Sequence, residues 1–125
     1  MIKEEDIKIK WDSFLFYQAE CSKIESEYLE KIQVLEQFIS HNLNPTQLEK
    51  NKLKKSIVKT INILYPLYRK QLQSIEDLLC DYKLNIKIAN KYDVSIQTLN
   101  SSKNSIVTAM YSVEDFKEKI NDILI

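Results

Sequence analysis

Apolar residues recur along the first forty residues in alternating steps of four and three. Ile7, Trp11, Phe14, Gln18, Cys21, Glu25, Tyr28, Ile32, Leu35 and Ile39 form one series, and eight of these ten are apolar or aromatic. A stripe of that period buries one face of a helix against a partner helix. Nothing inside it breaks a helix, so a first helix is predicted over about 3–41. The break comes at HNLNPTQLE, residues 41–49. Asn44 suits a helix N-cap and Pro45 the first helical position, where its missing N–H costs nothing. Thr46 with Glu49 offers a capping box in a neighbouring register.

A second series follows: Leu53, Ile57, Ile61, Leu64, Tyr68, Gln71, Ile75, Leu78 and Tyr82. It predicts a second helix over about 45–91. Pro66 lies inside it. A proline removes one backbone donor and clashes with the carbonyl four residues back, but the periodicity on both sides favours a kink over a stop. The short link makes the two helices antiparallel neighbours. Folding about residues 43–44 pairs positions whose numbers add up to about 87. Trp11, Phe14, Phe16 and Tyr17 then meet Tyr65, Leu67, Tyr68 and Leu72. Glu27, Glu30 and Glu36 come near Lys52, Lys55 and Lys59.

Phe14, Leu15, Phe16 and Tyr17 are apolar all round the helix, and one partner cannot bury all four. The C-terminal segment is the candidate cover, with helical pieces within about 94–124. One piece, about 102–111, carries Ile106, Val107 and Met110. A second opens on a capping box of Ser112 with Asp115 and carries Val113, Phe116 and Ile120. Such a segment spans about half the hairpin. It should dock on the open end over Trp11–Tyr17 and leave the tip, near Ile32–Leu53, as two bare helices. The expected fold is therefore all-α: one domain over 1–125, a long antiparallel, coiled-coil-like hairpin with a shorter C-terminal helical segment packed on its open end.

Composition narrows the chemistry. The chain has 125 residues and no glycine. Phosphate-cradling loops and dinucleotide fingerprints need glycine, so both are excluded. Net charge is zero but uneven: residues 1–40 carry −4, 41–72 carry +6 and 73–125 carry −2. The two cysteines, Cys21 and Cys80, make no disulfide scaffold. The register holds them apart, which predicts two unpaired, buried thiols. The single His41 has no histidine partner, so no metal is expected, and no paired carboxylate site suggests acid–base work. No cofactor and no enzymatic activity are expected. The charged N-terminus MIKEEDIKIKWD is not that of a signal peptide, and no apolar run nears the roughly 20 residues that cross a bilayer. The cytoplasm, or another reducing intracellular compartment, is the expected location.

Two stretches bear on nucleic acid. Residues 88–104, IANKYDVSIQTLNSSKN, have the cadence of a helix-turn-helix, with Ala89 at the helix contact and Gln97, Asn100 and Lys103 on the would-be recognition helix. Asp93 stands where the turn usually has glycine, and Ser102 where an apolar residue is expected. The second stretch is the basic run at 50–59, with Lys52 and Lys55, whose lysines occupy several faces of a helix. The function expected first is protein–protein interaction: a small helical subunit, adaptor or chaperone of a larger assembly. It would use Val34, Leu35, Phe38 and Leu53 at the tip, and Trp11, Phe16 and Tyr17 at the open end. The partner would be another protein with a helical or groove-forming surface, or a second copy. Nucleic acid bound through Gln97, Asn100, Lys103, Lys52 and Lys55 is the alternative.

Overall fold

The computed structural model describes residues 4–40, 46–84, 86, 90 and 95–123, with the backbone alone at 4 and 82–84. Three long helices make up the fold: α1 (Glu4–Ser40), α2 (Gln47–Leu84) and α3 (Ile96–Ile123). The first two pair as the antiparallel hairpin. The third packs on α2 and meets α1 through side chains such as Phe116 against Tyr28. No helix among the described residues is long and apolar enough to cross a membrane.

Thr46 caps α2. Its hydroxyl accepts from the Glu49 amide at 3.1 Å and donates to the Glu49 carboxylate at 3.2 Å. That is the N-cap half of the capping box, in the second of the two registers the sequence offers, with the Glu49 carboxylate held by the Thr46 hydroxyl; Asn44 and Pro45 lie outside the described residues. Thr46→Ala is expected to cost about 1 kcal/mol of stability, as cap removals do, measured by urea unfolding. The helix then continues through Pro66 to Leu84.

Every seventh residue explains the core. Ile7, Phe14, Cys21 and Leu35 are buried along α1, with Tyr28 half-buried between them. Ile57, Leu64, Gln71 and Leu78 are buried along α2, beside Ile61, Tyr68 and Ile75. Leu99, Ile106, Val113 and Ile120 are buried along α3. A strict seven-residue repeat keeps one face turned inward only while helices wind gently round one another.

The hairpin register is close to the expected one but displaced. Lys10 meets Asp81, Tyr17 meets Lys70, Glu25 meets Tyr68, and Lys31 meets Ser56 and Thr60, so paired numbers add up to between 87 and 93. The expected ion pairs do not form: among the described residues, none of Glu27, Glu30, Glu36, Lys52, Lys55 and Lys59 closes one. Instead Lys31 crosses the hairpin. Its ammonium donates to the Thr60 hydroxyl and to the Ser56 carbonyl at 3.3 Å.

The C-terminal segment corrects the expectation most. It is one helix of 28 residues, not two pieces. Ser95 caps it, its carbonyl accepting from the Leu99 amide at 3.1 Å. Ser112 and Asp115 lie mid-helix, where the seven-residue burial series overrides a local capping signal. Lys103 pairs with Glu76, and Lys117 donates to the Asn62 side chain at 2.9 Å, so α3 runs antiparallel to α2. The Phe116 ring stands edge-on to Tyr28, 6.2 Å away. At 1.5 Å per residue, Ile120 comes level with Ile32. The third helix thus starts at the open end and runs well beyond half the hairpin. Only the last two turns of the tip extend past it.

Candidate interaction surface

Two helices side by side have two grooves between them. In this protein α3 lies along one, packed on α2 and leaving a polar cleft against α1. Its Ser105, Ile106 and Ala109 face Gln18, Cys21, Ser22 and Glu25 of α1 and Tyr68 and Gln71 of α2. The other groove, on the far side of the α1–α2 plane, has no cover among the described residues. At the open end Ile9, Lys10, Ser13 and Tyr17 of α1 and Lys70, Gln73, Ser74 and Asp77 of α2 line it.

Seven-residue spacing carries those positions along the hairpin. Three sevens beyond Ser13 and Tyr17 stand Val34 and Phe38, and three sevens before Ser74 stands Leu53. Ile63 is one seven before Lys70, and Phe16 one seven after Ile9. The open groove therefore carries apolar side chains along much of its length. Ile9 is 63% exposed, Phe16 59%, Ile63 45% and Val34 40%. Phe38 and Leu53 are half-buried. The aromatic end is ordered by its own contacts: Phe16 stands edge-on to Tyr17 at 5.2 Å, and the Lys70 ammonium lies 5.7 Å from the Tyr17 ring centre.

Of the residues expected to meet a partner, Val34, Phe38, Leu53, Phe16 and Tyr17 lie along this one groove, so the tip and open-end patches are parts of a single surface. Trp11 does not belong to it. It packs on the core beside Phe14, at 5.2 Å, in the column of Gln18 and Glu25 that faces α3. Leu35 is sealed in the core and offers no surface. Ile39, expected in the seam, is exposed instead, because it lies on the flank beyond the end of α3. The expected cover over the run Phe14–Tyr17 is partial: Phe14 is buried, while Leu15 and Phe16 stay exposed. Ile9 and Ile63 are the groove residues the sequence reading passed over. Their signal was an apolar residue off the seam, one seven from Phe16 and from Lys70 respectively.

The floor of the groove is polar at two points. Asp81 is 4% exposed, and the Lys10 ammonium sits 2.8 Å from one of its oxygens and 3.0 Å from the other. The Asp81 hydrogen bond holds the Lys10 pKa above its ordinary value. The second point is Lys31 on Thr60. Buried charge and polar pairs of this kind fix register more than they stabilise.

The residues of the nucleic-acid alternative are dispersed. Gln97 lines a polar cleft between α1 and α3 with Gln18 and Gln71, Asn100 is exposed, and Lys103 is 3.7 Å from Glu76. Ala89 and Asp93 lie outside the described residues. Lys52 falls in the column of Gln73, beside the open groove, whereas Lys55 falls in the column of Asn62, towards α3. The basic run is thus split between two flanks of α2.

Chemically reactive groups are sparse. Cys21 and Cys80 are both free; Cys21 is buried as expected, and Cys80 is exposed, contrary to expectation. Burial, reinforced by Glu25 and Glu20, pushes the Cys21 thiol up to about 12, so it is no thiolate nucleophile at neutral pH. Among the described residues no cluster of histidine, cysteine or carboxylate side chains would hold a metal ion. No protein family, no curated protein and no solved structure matches this chain.

Proposed function

We propose that the chain is a protein–protein interaction module without enzymatic activity: a small helical subunit, adaptor or chaperone that holds a partner's helix in the open α1–α2 groove. The observation that carries this reading is the alignment of Ile9, Phe16, Val34 and Ile63, all substantially exposed, along one side of the hairpin. Scattered surface apolar residues are ordinary, whereas exposed apolar residues gathered along one groove, here with charged residues between them, mark a binding surface. A groove between two parallel-lying helices accepts an amphipathic helix through contacts spaced three, four and seven residues apart. The two unpaired cysteines suit a reducing compartment such as the cytoplasm.

The test is affinity capture from the native source with the full chain and two variants. Phe16→Asp places a charge in the groove, and Leu29→Asp places one at an equally exposed site on the opposite flank of α1. A stoichiometric protein partner is expected with the parent chain and with Leu29→Asp. Loss of about 2 kcal/mol or more, roughly thirtyfold in affinity, is expected with Phe16→Asp. Equal capture by all three removes the groove from the interaction. Nucleic acid recovered in place of protein favours the alternative.

A further inference from the structure

We infer that the groove's occupant is a second copy of this chain, related by a two-fold axis parallel to the helices. The inference rests on the groove being an interaction surface and names what fills it. Its ground is the charge on the two rims. On α1 the groove-facing column that contains Ser13 and Val34 also holds Glu20 and Glu27, with Glu30 just outside it. On α2 the corresponding positions hold Lys59 and Lys70, and α2 has no acidic residue between Glu49 and Glu76. Through the middle of the groove the α1 rim is mainly acidic, with Lys23 among its glutamates, and the α2 rim is basic; the open end differs, with Lys10 on α1, paired to Asp81, and with Asp77 on α2. None of Glu20, Glu27, Glu30, Lys59 and Lys70 closes an ion pair among the described residues.

Two copies packed groove to groove by a two-fold axis have two choices. An axis across the helices lays α1 on α1 and sets glutamate against glutamate. An axis along the helices lays α1 of each copy on α2 of the other, and sets the acidic rim against the basic one. Like charges held face to face are penalised and complementary rims favoured, so charge selects the second arrangement. That arrangement also fixes its own register, because rotation about an axis along the helices leaves each residue at its original height. Residues that meet across the interface therefore obey the number rule of the hairpin itself, between 87 and 93. Glu20 comes opposite Lys70 of the second copy, and Glu30 opposite Lys59. Val34 meets the small Ser56. The pairing occurs twice by symmetry and closes the assembly as a dimer.

Sedimentation equilibrium on the full chain tests this, with circular dichroism as the control for folding. The parent chain is expected to be a dimer at micromolar concentration. Ile63→Asp should leave helicity unchanged and give a monomer. Glu20→Lys and Lys70→Glu should each weaken the dimer about tenfold, since each reversal acts twice. The double variant, Glu20→Lys with Lys70→Glu, should recover most of that loss. A parent chain that stays monomeric overturns the proposal, as does a dimer tightened by Glu20→Lys, the signature of the crosswise axis, or one unaffected by Ile63→Asp. A monomeric parent that still loses a heterologous partner on Phe16→Asp would remove the self-pairing and leave the interaction reading standing.

Discussion

Leu64→Ala should destabilise the protein by about 3 kcal/mol or more, within the range for leucine-to-alanine changes in closed cores. Leu64 is fully buried on α2, the central helix, and belongs to the cluster shared by all three helices. Deleting its isobutyl group leaves a cavity that two flanking helices cannot close without shifting their own seven-residue stripes. Ile63 is the natural control. It is adjacent in sequence, about 100° round the helix, exposed, and one seven before the groove-lining Lys70. Ile63→Ala should cost under about 1 kcal/mol of folding free energy, the ordinary range for a partly exposed side chain, yet weaken whatever docks in the groove. Urea unfolding followed by circular dichroism separates the two. If Ile63→Ala destabilised the chain as much as Leu64→Ala, the groove would be part of the core and not a surface.

The hairpin was legible because its signal is repeated. Ile7, Phe14, Cys21, Tyr28 and Leu35 recur every seven residues, and so do Ile57, Leu64, Gln71 and Leu78. A miss at one position, such as Gln71, does not erase the stripe. The register was displaced for a local reason. Capping at Thr46 instead of Asn44 starts α2 later and moves the fold point of the hairpin, so pairs such as Lys10–Asp81 and Glu25–Tyr68 add up to more than 87, while Tyr17–Lys70 keeps the expected value. The third helix was harder. Its apolar series Leu99, Ile106, Val113 and Ile120 is as regular as the others, but Ser112 and Asp115 look like a fresh helix start when taken alone. Burial of Val113 against α2 outweighs that cap. Which groove α3 would choose was not legible at all. Trp11 and Ile32 flank the α1 seam on one side, and Tyr17, Ile24 and Phe38 on the other, so both flanks are apolar. The candidate site depends on that choice, since the flank α3 leaves bare becomes the surface. That is why Trp11 and Phe16, five residues apart and both aromatic, have opposite roles.

Alkaline solution should unfold this protein, and a buried thiol should account for much of the effect. Besides the exposed Lys119, held up by its hydrogen bond to Asp115 on the same helix, four groups have pKa values raised on folding. Cys21 and Tyr28 are raised chiefly by burial. Burial also leads for Tyr68, supported by its hydrogen bond to Glu25. Lys10 is raised by its hydrogen bond to Asp81. For all four the folded state holds the proton more tightly than the unfolded chain does. By linkage, their contribution is therefore fully present below the unfolded pKa and is lost as pH rises through the folded value. For Cys21 that window opens near 9.0 and closes near about 12. Each unit is worth about 1.4 kcal/mol, so the thiol alone removes roughly 4 kcal/mol by the upper end, a large share of the 5–15 kcal/mol typical of a domain. Tyr68 and Lys10 act in the same direction from about pH 10 upward. Cys21→Ala cannot ionise, so its unfolding free energy should fall less steeply between pH 9 and 11 than that of the parent chain, whatever its stability at neutral pH. Urea midpoints taken across that interval give the two slopes directly. Parallel slopes would mean that the thiol is not the group being titrated, and would place the alkaline sensitivity on the Tyr68–Glu25 contact instead.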